Sequence, residues 1–455
     1  TLAWTQAQVQ LRHLDITPAT ADLFQQLAGH ILFAGPALRA GGAAIEKGAG
    51  PQPLLWEQGI SGDLPIMVLR VRENADTEIV RLLLLAHEYF RLKQLAVDLV
   101  ILNEHPASYL QDLQVSLDQL VHAQPRGAEG TGSVRVLRAD LASPAVRHLV
   151  ISVARVVLDA ERGLAEQLEQ AERTLPRHAM PVPPRPRPAP AAFGVPSVPE
   201  LEFFNGHGGF ARQGREYVIV LGPGQTTPAP WINVIANDTF GFQVSAEGSG
   251  YTWSGNSREH QLTPWSNDPV SDHAGEIFYF RDENTGTLWC PGAATRRDPA
   301  ATYVTHHGYG YTRQERVAHG IASSVLQYVP VTDPVKITRI QLHNRSDQPR
   351  TLSVTAYVEW VLGAARSVSA PFVSTTMDPD TGALFARNRW KMEYTDRTAF
   401  ADIGGYLTAS SGDRCAFIGR NGTLDMPLAF THPNGVQGRT GAGLYPCGVV
   451  QTVVT

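Results

Sequence analysis

Three closely spaced stretches carry the residue types that bind polyols: Gly250-Tyr251-Thr252-Trp253, Asn256-Ser257-Arg258-Glu259, and Leu262-Thr263-Pro264-Trp265-Ser266-Asn267-Asp268-Pro269. Upstream, Asn205-Gly206-His207-Gly208-Gly209-Phe210 and the run from Thr227 to Asn237 repeat the mixture. Aromatic ring faces cover the apolar C–H face of a pyranose, and fixed amides, guanidinium groups and carboxylates satisfy its hydroxyls. Sugar binding is therefore the chemistry these stretches suit. The same composition also fits an aromatic core with Asx turns, since aromatic residues are common in cores. Glycoside hydrolysis is a further reading, with Glu259 paired to Asp268 or Asp272, because it needs two carboxylates roughly 5 to 10 Å apart.

Other motifs fail on spacing. His87-Glu88 begins like a zinc-protease helix, but Arg91 stands where the second histidine belongs. Ser61 lies in a glycine-flanked turn that precedes its strand, unlike a nucleophile elbow. Gly127, Gly130 and Gly132 match neither a dinucleotide fingerprint nor a phosphate loop. Neither cofactor nor metal is expected. Cys290, Cys415 and Cys447 are odd in number and far apart, which fits no disulfide framework and suits a reducing compartment. The net charge of −5, from 38 basic and 43 acidic side chains, lacks the basic excess of a nucleic-acid binder.

With 455 residues, 41 glycines and 32 prolines, several turn-rich domains fit into the chain. Thr17-Pro18 starts a helix with Leu23, Phe24, Leu27 and Ile31 on one face. The segment 1–45 reads as a helical remnant of a preceding domain. Apolar runs at Ile66–Leu69, Val97–Leu102 and Val134–Leu137 alternate with helical stretches, the last opening at Ser143-Pro144 and running to about Leu175. A small α/β domain of βαβαβα order is expected over 46–175. Prolines and arginines then crowd 176–199, a polyproline-type spacer that could also serve as a docking strip.

Beyond residue 200 the period changes to two. Leu352, Val354, Ala356, Val358 and Trp360 alternate with Thr351, Ser353, Thr355, Tyr357 and Glu359, predicting a strand with one buried and one wet face. The turn-forming residues Asn344 to Pro349 predict a hairpin with the preceding run, Val335 to His343. The expected fold class is α+β multidomain: the small α/β domain followed by a large antiparallel β-sandwich over 200–455. The first residues show no signal peptide, and the last run, Val449 to Val454, stops within a strand pattern, so the chain reads as an excised piece. The most apolar windows, Ile79–Phe90 and Leu149–Leu158, are too short for a membrane span, so this piece reads as soluble.

The glycan-type motifs above, with Gly308-Tyr309-Gly310-Tyr311-Thr312-Arg313 and Tyr357-Val358-Glu359-Trp360-Val361-Leu362-Gly363, closely resemble the β-sandwich ("supersandwich") of glycoside hydrolase family 94. That family comprises cellobiose-type phosphorylases and the phosphorylase part of cyclic β-1,2-glucan synthases. Trp56 to Pro65 and Ala96 to Glu104 are similar to the synthase branch, so the resemblance spans essentially the whole chain. It implies a piece of a glycosyltransferase and phosphorylase acting on β-1,2-glucan. The catalytic aspartate and phosphate site would lie on a helical barrel outside this chain, so the piece alone is expected to be inactive and to support glucan binding and interdomain packing for that phosphorylase-type unit; a self-contained glycosidase and a simple glycan-binding module are the alternatives. The implied partners are β-1,2-glucan or its oligosaccharides, the barrel and transferase domains of the parent and, in some relatives, a second copy. The implied location is the cytoplasmic side of a bacterial inner membrane, where other segments of the parent would anchor it. Tyr311 and Arg313 match the family's Gly-Tyr-Thr turn and become sugar-contact candidates beside Trp253, Arg258, Glu259 and Asp268.

Overall fold

The hydroxyl of Thr17 accepts a hydrogen bond from the Thr20 amide (3.2 Å) and Pro18 fills the first turn, so helix α1, Pro18–Phe33, begins where its capping signals stand. The computed structural model describes residues 9–73, 77–106, 112–124, 130–174, 194–432 and 435–455, and most of the expected Pro-rich spacer lies outside them. Phe24, Leu27 and Ile31 of α1 are buried in the same cluster as the first strands of the α/β sheet. The expectation of a leftover segment from another domain is therefore corrected: the described residues of 1–177, α1 among them, form one unit with 389–396 and 441–443.

After α2, Gly42–Gly48, this unit alternates β1 (Ile66–Val71), α3 (Thr77–Leu92), β2 (Asp98–Asn103), α4 (Asp112–His122), β3 (Val134–Arg138), α5 (Pro144–Val153), β4 (Val156–Asp159) and α6 (Leu164–Thr174). The four strands are parallel in the order β3-β2-β1-β4. Strands β1 and β2 are buried on both faces, as their continuous apolar runs require. The expected single helix from Ser143 to Leu175 is in fact helix, strand and helix. Val156–Asp159 is only four residues long, and its valines continue the apolar run of α5 with no glycine or proline between. The sheet's order reverses at β1 and β4, where open α/β sheets commonly bind ligands at the carboxyl ends. Here Arg72 meets Glu104, Asp159 and Glu161 at 3.2, 2.9 and 2.7 Å, and Arg70 meets Glu104 at 3.0 Å, so the charges satisfy one another.

The second unit, 178–388 with 397–440 and 444–455, is antiparallel throughout its named sheets. Its strands are β5 (Gly208–Ala211), β6 (Glu216–Leu221), β7 (Ile232–Ala236), β8 (Phe240–Ser245), β9 (Gly250–Ser254), β10 (Glu276–Asp282), β11 (Leu288–Trp289), β12 (Tyr303–Gly308), β13 (Tyr311–Ala318) and β14 (Ile321–Tyr328). Then follow β15 (Ile337–Asn344), β16 (Leu352–Glu359), β17 (Val373–Met377), β18 (Leu384–Asn388), β19 (Ala399–Ala401), β20 (Ala409–Asp413) and β21 (Pro446–Val454). A six-stranded sheet, β15-β14-β13-β12-β6-β5, packs on a five-stranded one, β11-β10-β16-β21-β20, through Phe280, Trp289, Ile321, Val325, Leu352 and Val354. Two three-stranded sheets, β7-β8-β9 and β17-β18-β19, complete the unit.

Two expectations change here. Strands β15 and β16 do not form a hairpin, because they belong to different sheets and the turn between them carries the chain across the sandwich. Arg350 in that crossover binds the buried Asp282 of β10 and the His319 carbonyl. Nor does β16 have a wet face: it lies between β10 and β21, and Ser353, Thr355, Tyr357 and Glu359 are buried too. Tyr357 stacks on Phe417 of the short helix α7, Arg414–Ile418, which covers that side (5.5 Å, 15°).

Trp360, 3% exposed just beyond β16, packs with Phe240, Leu262 and Leu362. Trp360→Ala is expected to destabilise the second unit by about 3–5 kcal/mol, read from chemical denaturation followed by circular dichroism.

Candidate functional site

Strand register assembles the site. Val234 pairs with Gln243 and Gln243 with Tyr251, while Ala236 pairs with Gly241 and Gly241 with Trp253. Period-two alternation therefore places Ile232, Val234, Gln243, Ser245, Tyr251 and Trp253 on one face of β7-β8-β9. Ile235, Phe242 and Val244 form the buried opposite face. A glycine is required at 241, since a Cβ there would lie 2.5 Å from the Trp253 ring and 2.7 Å from the Ala236 methyl. The indole thus lies across the strand at its barest point. Tyr251 sits 5.2 Å from Trp253 and 5.8 Å from Trp265, at 38° and 28° between ring planes, and the three rings form a continuous row. At the Trp265 end opens a cleft of about 250 Å³ lined by Ile232, Gln243, Tyr251, Trp265, Asp268 and Asp272 among others. Trp265 keeps 42% of its surface exposed.

The two cleft carboxylates differ. Asp268 accepts the Val270 and Ser271 amides at 2.8 and 3.0 Å, and those bonds, the Ser271 one foremost, hold its carboxyl below the usual range. Burial pushes the Asp272 carboxyl up, opposed by the Ser245 hydroxyl that donates to it. The Ser245 oxygen in turn accepts the Gly248 and Ser249 amides at 3.1 and 3.0 Å. Asp268 is thus held by the backbone of its own loop and Asp272 by the Ser245 hydroxyl of β8.

Beneath the row, Thr252 points to the other face from its neighbours Tyr251 and Trp253, and its hydroxyl donates to Glu276 of β10. Thr263 donates to the same carboxylate oxygen, and the Lys336 ammonium meets the second one. Burial acts to raise the Glu276 carboxyl, but Lys336 and the hydroxyls outweigh it and hold it below the usual range. Lys336 also lies 4.3 Å from the centre of the Phe242 ring. The Thr263 hydroxyl accepts the Thr252 amide as well (2.7 Å), so one buried ion pair secures β9 and the loop that carries Trp265.

Of the residues expected from sequence, Trp253 belongs to the aromatic row and Asp268 lines the cleft. Arg258 and Glu259 stand on the neighbouring turn, organised by the Asn256 side-chain oxygen Oδ1, which accepts both their amides at 2.9 Å. Ser257 of that turn bonds the Tyr251 side chain, yet Arg258 is 86% exposed at its side chain and Glu259 lies outside the cleft. The carboxylates that share the cleft are Asp268 and Asp272. Tyr311 and Arg313 lie elsewhere, on β13. The Tyr311 hydroxyl donates to the buried Glu216, and Arg313 lies 3.3 Å from His306 and 3.4 Å from Glu315. Gln243, Ser245 and Glu276 escaped the sequence reading. For Glu276 the only local signal is a lone acid opening an apolar strand. Among the described residues, no group of three or more His, Cys, Asp or Glu side chains could hold a metal ion.

These antiparallel sheets, with the cleft-bearing β7-β8-β9 among them, define a multi-sheet β-sandwich domain. Residues 215–455 match the glycosyl hydrolase 94 supersandwich domain, and the chain belongs to that family. It is 38% identical over 465 aligned residues to the cyclic beta-(1,2)-glucan synthase NdvB of Rhizobium meliloti (strain 1021), covering all of this chain and 16% of that protein. It is 30% identical to an N,N'-diacetylchitobiose phosphorylase of Vibrio furnissii and 32% identical to a solabiose phosphorylase of Paenibacillus borealis. Each of these alignments covers 49% of this chain, and 28% and 29% of the respective enzymes. The chain thus spans a minor part of each relative's length. No helix among the described residues is long and apolar enough to cross a membrane.

Two outcomes follow from this scaffold. Glu276→Ala strands the buried Lys336 charge and is expected to lower stability by about 3–5 kcal/mol, with altered tryptophan emission reporting the released row. His307 on β12 is pushed down to about 4 by burial, its ring nitrogens near the Thr312 hydroxyl (3.0 Å) and the Trp231 carbonyl (3.4 Å). Its folded value lies below its unfolded one of roughly 6.5, so between the two values the unfolded chain binds more protons. Stability should therefore fall as pH drops through that window, by up to roughly 1.4 kcal/mol per pH unit from this group. Urea unfolding across the window should show a shallower decline in His307→Gln than in the natural sequence.

Proposed function

We propose that the second unit is a non-catalytic glucan-holding element of a larger glycan-processing enzyme, one that keeps β-1,2-glucan near a phosphorylase-type centre on another domain. The observation that carries this reading is the row Trp265–Tyr251–Trp253 leading out of a cleft with two anchored carboxylates. The largely exposed Trp265 ring, backed by the buried Tyr251, suits the apolar face of a glucose unit, and Asp268, Asp272 and Gln243 supply acceptors and a donor for its hydroxyls. Arg258 and Glu259, on the turn beside Tyr251, are placed to meet a longer chain at the rim. The similarity to NdvB supports β-1,2-glucan as the glycan and a multidomain parent. A membrane-anchored parent with the domain on the cytoplasmic side accords with that reading.

Calorimetric titration with β-1,2-gluco-oligosaccharides tests it. The natural chain is expected to bind them and to release no glucose 1-phosphate when phosphate is added. Trp265→Ala should raise Kd by about five- to thirty-fold, equivalent to about 1–2 kcal/mol, with little change in thermal stability because Trp265 is largely at the surface. An unchanged Kd in that variant, or sugar release by the chain alone, would overturn the proposal.

A further inference from the structure

The cleft is chemically one-sided. Two carboxylates line it, Asp268 and Asp272, beside the His273 imidazole, 4.0 Å from Asp268, and among the described residues no lysine or arginine does. The basic side chains of the surrounding elements are committed elsewhere: Lys336 to Glu276 beneath the sheet, Arg297 to Glu247, and the outlying Arg258 faces its neighbour Glu259 at 3.5 Å. The two backbone amides aimed at Asp268 favour its charged form; at Asp272 the Ser245 hydroxyl does the same against the burial that pushes that carboxyl up. The cleft therefore presents two carboxylates against a single imidazole, a type of group mostly uncharged near neutral pH, and no lysine or arginine among the described residues lines it to receive an anionic ligand.

We infer that this cleft selects uncharged glucan units and rejects units carrying an anionic group, whether phosphate or carboxylate. The inference rests on the glucan-holding reading above and narrows its ligand class. A neutral pyranose gives its hydroxyl protons to the carboxylates as charge-assisted hydrogen bonds. A phosphate or carboxylate on the same ring has no proton to give at neutral pH and stands against like charge, partly shielded from water. The element would thus admit the unsubstituted backbone of a glucan and exclude sugar phosphates from the row.

The test is titration of the full chain with a β-1,2-gluco-oligosaccharide and with the same oligosaccharide oxidised at its primary hydroxyls to carboxylates. The oxidised ligand is expected to bind at least about tenfold more weakly at low ionic strength, with the gap narrowing at about 0.5 M salt. In the Asp268→Asn, Asp272→Asn double variant the gap should close to within about twofold, while the neutral ligand weakens in parallel with its lost charge-assisted bonds. Equal affinities in the natural chain would overturn the inference while leaving the glucan reading intact. So would a gap insensitive to both salt and the double substitution, which would mean that shape discriminates instead. If neither oligosaccharide binds, the glucan reading itself fails and this inference falls with it. The salt series on the natural chain decides the question even if the double variant does not fold.

Discussion

A carboxylate taken out of water destabilises a protein unless its charge is met, and the aromatic row depends on how that condition is satisfied at Glu276. Its two oxygens are divided: one receives the Thr252 and Thr263 hydroxyls, the other the Lys336 ammonium. Thr252 stands between Tyr251 and Trp253, so the bond that satisfies the buried charge also fixes the strand whose outward side chains form two of the three rings. Thr263 does the same for the loop that supplies Trp265. A three-stranded sheet has little packing of its own to hold it in shape, and this ion pair provides a specific point of attachment to β10.

The face that carries the rings then follows from alternation. Because side chains on a strand point to opposite faces in turn, one sheet can anchor itself through Thr252, Phe242 and Val244 and present Tyr251, Trp253 and Gln243 on the other side. Gly241 allows the Trp253 indole to lie close to the backbone, which turns a bulky ring into a flat surface. The neighbouring loops add the polar part. Asx-type bonds hold Asp268 and Asn256 in their turns, so the groups that would face a ligand are positioned before it arrives.

Arginine serves a different purpose in each unit. In the α/β unit, Arg72 joins the ends of three strands by gathering Glu104, Asp159 and Glu161, at the switch point where this topology commonly binds ligands. In the sandwich, Arg316 is fully buried, donates to the Cys290 carbonyl at 2.6 Å and lies 4.7 Å from the Tyr303 ring centre. Both are cases where the planar, always-charged guanidinium organises several partners at once.

The sequence alone determined what depends on neighbours within a few positions. The Thr17-Pro18 helix start, the apolar runs of β1 and β2, the alternation of β16 and the clustering of Tyr251, Trp253, Trp265 and Asp268 were all legible, because period and side-chain chemistry are local properties. Only the tertiary structure decided what those elements pair with. It sent β15 and β16 to different sheets, buried the second face of β16, separated Val156–Asp159 from its helix as a fourth strand, and occupied the polar atoms of Tyr311 and Arg313 with Glu216, His306 and Glu315. It also brought Lys336 to Glu276 across 60 residues. Such pairings leave no local trace, because a strand's pattern records that a face is covered and not by what. A lone glutamate opening an apolar strand reads the same whether it meets water or a buried lysine.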